Sequence, residues 1–309
     1  MTGGQGKNRR LLDRVAGRIW RLFMGNRVLL PRVVADPMWH LEQGRRRIRG
    51  GEIIVRFDNL DADIALDARS DLAARAIADG TYEPELLAAI PKLLGDGDAI
   101  NVGANVGVVA IVMRKAMAPG GRLLCVEPIE ECVARLSSNL ARAGADQGAI
   151  VHRAFATDKV EGSQEMWTVT GRPEYSSGGR LVHRSVVATE HLATVVPAVR
   201  LDDLITKERI RPTCIVMDCE GGEYNALRGA HETLATRQPT LIMEFDPLLL
   251  RANGGTAGEF LSFLAHLGYR CITLTDAAAE AGTAFSGTMV AVPASRTAAA
   301  ISVIRSVCS

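Results

Sequence analysis

Aromatic residues are scarce, at 5% of the 309 residues. The core must therefore rest on aliphatic packing, for which Ala, Gly, Leu and Val are abundant. Six cysteines (Cys125, Cys132, Cys214, Cys219, Cys271 and Cys308) include no CxxC pair. Neither a disulfide framework nor a zinc site is expected, and the thiols read as small buried hydrophobes in a reducing cytosol. No run approaches the ~18 apolar residues of a membrane span. The N-terminus lacks an apolar signal stretch followed by a small-residue cleavage site, so the chain reads as cytoplasmic. Neither sign of charge dominates, with 36 Lys+Arg against 35 Asp+Glu and a net charge of +1. Charged residues at 23% and apolar residues at 47% match ordinary globular usage and exclude whole-chain disorder, collagen and coiled coil. The length suits one large domain with an appendage, or two modest domains.

The charge balance is uneven along the chain. Residues 1–60 hold 13 Lys/Arg and 5 Asp/Glu, a local charge of +8 that leaves about −7 for the remainder. An acidic body argues against nucleic-acid binding by that body. Within the basic arm, Leu11, Leu12, Val15, Ile19, Leu22 and Phe23 recur at helical spacing, with Arg10, Arg14, Arg18 and Arg21 opposite. Such an amphipathic helix could dock on a membrane surface or a partner. The plainer reading, packing on its own body with the Arg face in water, is preferred. Residues 1–80 are thus expected to form a basic N-terminal extension with helical and β parts, including short strands at 52–57 and 62–66 and a helix at 71–78. Residues 81–309 are expected to form the main domain. Its first helix starts at Thr81–Glu85, where Pro84 falls in the first turn beside acidic residues, and runs to about residue 94.

From Asp98 the pattern alternates. Short apolar strands are expected at 99–102, 122–126, 149–154, 215–217, 240–244, 269–274 and 288–292, with helices after the first two and before the sixth. Alternation of this kind implies an α/β, Rossmann-like, doubly wound sheet of seven mostly parallel strands. The last two strands lie too close for a helical crossover, so an antiparallel edge strand is expected. An insert rich in Ser, Thr and Gly at about 157–200 interrupts the pattern, where it could cover a ligand.

Three polar clusters fall at strand ends, the ligand side of such sheets. Asn101-Val102-Gly103-Ala104-Asn105-Val106-Gly107 is a glycine turn that opens a helix. It lets a ligand approach the backbone and offers free N–H groups. Asn105 occupies the second Gly position of GxGxxG, which counts against a dinucleotide pyrophosphate. Glu127 ends the second strand, where a carboxylate can accept both hydroxyls of an unphosphorylated ribose. Asp218-Cys219-Glu220-Gly221-Gly222-Glu223 gathers three carboxylates around a Gly pair. It could bind a cationic group, deprotonate a hydroxyl or hold a hard metal ion, or simply complement a helix N-terminus.

Taken with Leu201-Asp202-Asp203-Leu204, Met243-Glu244 and Gly80-Thr81-Tyr82-Glu83-Pro84, these runs resemble the FkbM-type methyltransferases, class I enzymes that use S-adenosylmethionine (SAM). The resemblance covers roughly residues 78–275. It implies that Gly103, Ala104 and Asn105 line the methionine half of SAM. Glu127 would hold the ribose hydroxyls with Pro128 beside it, and Ala156 to Asp158 would flank the adenine. Tyr82 and Glu83 would close over the methionine end, and Asp218 would lie nearest the methyl group. The family motif usually begins with Asp. Asn101, kept among the cofactor residues, removes a charge near the SAM amino group, which either weakens binding, as in a degraded pocket, or shifts that duty to Asp218 or Glu83. A Ser/Gly-rich loop at Ser176-Ser177-Gly178-Gly179 also matches the family.

Methyl transfer from a sulfonium is an in-line displacement, so the protein supplies mainly proximity and alignment. A hydroxyl acceptor must lose its proton, and Asp218, then Glu220, then His183 are the candidate bases. A divalent metal on Asp218 and Glu220 is the alternative way to activate that hydroxyl, although no metal ligand is assigned. The expected activity is O-methyl transfer to a hydroxyl of a sugar or secondary metabolite. The expected partners are a small-molecule or glycan acceptor and no nucleic acid, with homodimerisation left open. Two other readings stand beside it. One is a non-catalytic SAM-fold scaffold docking through the basic helix, and the other is an NAD-dependent oxidoreductase.

Overall fold

The computed structural model describes residues 51–309, except 69, 71, 74–75, 77–80, 160–161, 170–175, 177–190, 276–277 and 309. The basic amphipathic segment lies outside the described residues, as does most of the helix expected at 71–78. The chain divides into two compact units, 1–83 and 84–309. In the first, β1 (Glu52–Phe57) and β2 (Ala62–Asp67) pair antiparallel, with Phe57 opposite Ala62 and Glu52 opposite Asp67.

The second unit opens with α1 (Pro84–Leu93), where proline takes the first helical position and loses no hydrogen bond there. Then follow β3 (Asp98–Val102), α2 (Val108–Ala116), β4 (Leu123–Val126), α3 (Glu130–Arg142) and β5 (Ala149–His152). The insert supplies β6 (Phe155–Ala156), β7 (Gly162–Val169) and β8 (His191–Val199). Next come α4 (Leu201–Glu208), β9 (Pro212–Met217), α5 (Glu223–Arg228), α6 (His231–Arg237) and β10 (Thr240–Phe245). The unit ends with α7 (Pro247–Ala252), α8 (Ala257–His266), β11 (Tyr269–Thr273), β12 (Gly287–Pro293) and α9 (Thr297–Cys308).

Seven strands form one sheet in the order β11-β12-β10-β9-β3-β4-β5. The chain starts in the middle at β3, steps outward to β5, then returns to β9 on the other side. Strand order thus reverses between β3 and β9, and their carboxyl ends open a crevice there. Pairs β3–β4, β4–β5, β3–β9 and β9–β10 are parallel. The sheet is the doubly wound, mostly parallel one that the alternation implies. The antiparallel edge is present as expected, with the edge strand β11 antiparallel to its neighbour β12. β12 lies one place in, antiparallel to both β10 and β11. Met289, Val290, Ala291 and Val292 are all buried, and a strand apolar on both faces belongs inside. The edge falls to β11, whose Arg270 reaches water and pairs with Glu280 at 3.1 Å.

The insert is partly a second sheet, in the order β6-β8-β7. Met166 of β7 and Val196 of β8 point inward and pack with Ile129, Cys132 and Phe155 in a small second core.

Candidate functional site

The glycine turn and the carboxylate loop touch. Gly103 has φ +71°, and a Cβ there would stand 1.9 Å from the Asp218 carbonyl oxygen. Only glycine fits so close an approach. The Asp218 N–H donates to the Val102 carbonyl at 3.1 Å. Asn105 takes a left-handed φ of +49°, which Asn tolerates better than most residues.

Glu127 sits opposite, 5% exposed. The Asn105 N–H donates to its Oε2 and the Ile129 N–H to its Oε1, both at 2.9 Å. Burial pushes its carboxyl up to about 7, against the pull of those two N–H groups. Each oxygen keeps a further lone pair for a ligand.

Beyond β9 the chain turns sharply. Glu220 has φ +50° and Gly221 φ +92°. A Cβ on Gly221 would lie 2.4 Å from the Leu249 carbonyl oxygen, so α7 backs this loop. Asn253 Nδ2 donates to the Glu220 carbonyl at 3.2 Å. Glu220 is pushed up to about 8, by burial first and then by the charges of Asp218, Glu223 and Asp246. Glu223 is buried and accepts the Cys219 N–H at 2.7 Å. Burial pushes it up to about 7. Glu223 closes the loop at the start of α5, so the helix-terminus reading of this acid describes it.

One cleft joins these parts. Gly103, Asn105, Glu127, Pro128, Asp218 and Glu220 line its polar side. Ile129, Cys132, Phe155, Ala156 and Met166 line an apolar side, with Ser176 from the insert. Of the expected cofactor residues, Asn101 and Ala104 are not on this lining. They are buried behind it, at 2% and 3% exposure, because Asn101 is inside β3 and Ala104 is on the inner side of the turn. Thr157 is buried, and Asp158 is held by an ion pair to Arg228. Of the adenine-flanking run, only Ala156 reaches the cleft. Tyr82 and Glu83 are the last residues of the first unit. His183, Ser177, Gly178 and Gly179 lie outside the described residues. Among the described residues no group of three or more His, Cys, Asp or Glu is arranged to hold a metal ion.

The apolar wall of Ile129, Cys132, Phe155 and Met166 was not expected. Its one sequence signal is the alternation of β7 and β8, which buries Met166 and Val196. Asp202, part of a family-like run, acts elsewhere. It accepts from the Glu232 N–H at 2.9 Å, the Thr233 N–H at 3.0 Å and the Thr233 hydroxyl at 2.6 Å. It therefore caps α6.

A doubly wound sheet with a glycine turn and two acidic strand ends where the strand order reverses is the architecture of a nucleotide-type ligand crevice. The model of the methyltransferase FkbM domain matches residues 101–271, more than half of the chain. The chain belongs to that family, and it is a SAM-dependent methyltransferase. Solved structures are similar at low identity. The O-methyltransferase TomG of Streptomyces achromogenes, in complex with SAM, is 14% identical over 68% of this chain and 79% of its own, with a TM-score of 0.41. A methyltransferase FkbM from Methylobacillus flagellatus is 18% identical over 72% and 55%, with a TM-score of 0.39. An O-methyltransferase from Bacillus cereus, in complex with SAH, is 15% identical over 72% and 86%, with a TM-score of 0.41. No curated protein matches the chain in sequence. Among the described residues no helix is long and apolar enough to cross a membrane.

The residues of the cleft fit the methyl donor. Gly103 lines the cleft with its backbone, and Glu127 offers a buried carboxylate. Asn105 Oδ1 is buried with no hydrogen-bond partner among the described residues, an acceptor suited to a ligand donor.

Proposed function

We propose that the protein moves a methyl group to a hydroxyl of a sugar or secondary metabolite, with Asp218 taking the hydroxyl proton. The observation that carries this reading is the contact of Gly103 with the Asp218 carbonyl oxygen, which makes the glycine turn and the carboxylate loop two walls of one cleft. When bound, SAM supplies a methyl group on a cationic sulfur, open to in-line attack by oxygen.

The chain's own groups do the rest. Glu127 accepts the ribose hydroxyls through its remaining lone pairs, while the N–H groups of Asn105 and Ile129 hold it in place. Asn105 Oδ1 accepts from the donor's polar end. Ile129, Phe155 and Ala156, on the apolar side of the cleft, would hold the donor's base and exclude water there. Asp218 is exposed, so a hydroxyl entering the cleft can reach it. Burial and the neighbouring carboxylates push Glu220 up to about 8, which leaves Asp218 as the proposed base.

The test is Asp218→Asn. S-adenosylhomocysteine should bind this variant within about threefold of wild type. Transfer of labelled methyl to a panel of sugars and hydroxylated metabolites should fall by about 10²–10⁴-fold, the usual worth of a positioned base. Normal transfer by Asp218→Asn would refute the assignment.

A further inference from the structure

We infer that Asn101 is a positioning residue, whose side-chain amide clamps the Asp218 loop to the glycine turn. The inference rests on the cleft being the methyl-donor site. Asn101 is 2% exposed and stands opposite Val216 on β9. Its Nδ2 donates to the Val216 carbonyl at 3.3 Å, while its Oδ1 has no partner among the described residues. Keeping a buried oxygen unpaired is costly, so the donor end of the side chain must give something in return. The next two residues continue the same seam. The Val102 carbonyl accepts the Asp218 N–H, and Gly103 abuts the Asp218 carbonyl. Residues 101, 102 and 103 thus grip 216 and 218 in succession.

In this chain the side chain at position 101 acts toward β9 as a donor. An ionised Asp would set oxygen against the Val216 carbonyl oxygen, whereas a protonated Asp could donate as Asn does. The departure from the family's usual Asp is then a structural gain, not the mark of a decayed pocket. The neighbours keep the test simple. Cys125 opposite on β4 and Cys214 on β9 have thiols pushed up to about 12, so both stay neutral. The helix on β3, α2, buries only Val108, Ala110, Ile111, Val112 and Met113. Asp218 and Glu127 stand at the strand ends in wild type and variant alike, so comparison with wild type at each pH isolates position 101.

The experiment uses the full chain, with Asn101→Asp and Asn101→Ala compared to wild type at pH 5 and pH 8. It reads S-adenosylhomocysteine affinity by calorimetry and hydrogen exchange at the Asp218 amide. Asn101→Asp should lie closer to wild type at pH 5, where part of the new carboxyl is protonated, than at pH 8. At pH 8 its affinity should be about tenfold lower and its Asp218 amide should exchange about tenfold faster, as one unit of pKa shift would give. Asn101→Ala should lose equally at both pH values. An Asp variant equal to wild type at pH 8, or binding more tightly there, overturns the clamp. If Asn101→Asp fails to fold at either pH, Asn101→Ala decides, and unchanged exchange at Asp218 overturns it. If wild type binds no S-adenosylhomocysteine, the donor-site reading fails, while the exchange ratios still test the clamp.

Discussion

At the scale of single residues, the cleft is held by acids in costly places. Glu127, Glu220 and Glu223 all lie above their ordinary value of 4.5, at about 7, 8 and 7, and burial leads in each. For an acid raised in the folded state, the contribution to stability is full below the unfolded value. It is lost as pH rises through the folded one. The ligand-free protein should therefore melt at lower temperature as pH goes from 5 to 8. Glu220→Gln should melt above wild type at pH 8 and level with it at pH 5. A wild-type melting temperature that is flat across this range would contradict these environments. Gly103→Ala tests the close approach. Its Cβ meets backbone rather than a yielding side chain, and φ is positive. The variant should lose about 1–3 kcal/mol of stability and its S-adenosylhomocysteine binding with it. Full binding by Gly103→Ala would mean that the turn and the Asp218 loop move apart freely.

Single elements show how far a sequence carries the fold. Period and punctuation made the central strands plain, since β3, β4, β9 and β10 are apolar runs ended by Gly or an acid. The position of β12 was less legible. Closeness to β11 fixes its direction, but only the burial of Met289 to Val292 fixes its place inside the sheet. The polar side of the cleft was legible because its residues sit at strand ends, where chain geometry alone directs them. The apolar side was not. Phe155 and Met166 meet Ile129 only after β6, β7 and β8 assemble, and no local pattern announces that long-range pairing. Asn101 and Ala104 are buried behind the cleft lining, a placement the motif does not reveal because it names neighbours without saying which face each takes. Asp202 gives an element-scale test. Asp202→Ala removes the acceptor for three donors at the start of α6. It should cost about 2 kcal/mol in denaturant unfolding and leave S-adenosylhomocysteine affinity of the folded protein unchanged. A stability loss below ~0.5 kcal/mol would show that α6 does not need this cap.

In the whole molecule, the second unit concentrates its chemistry where the strand order reverses. β3, β4 and β9 deliver the glycine turn, Glu127 and the Asp218 loop to one edge, and the insert adds an apolar wall. Binding energy comes from that convergence, so it should depend on Glu127 and not on the nicotinamide-type fingerprint that the turn lacks. The most direct measurement is calorimetric titration of the full chain with S-adenosylhomocysteine, with NAD alongside and Glu127→Ala as the variant. Saturable binding of S-adenosylhomocysteine alone is expected, weakened by about 1–3 kcal/mol when the carboxylate is removed. Binding of NAD instead, of neither ligand by folded protein, or undiminished binding by Glu127→Ala would contradict it.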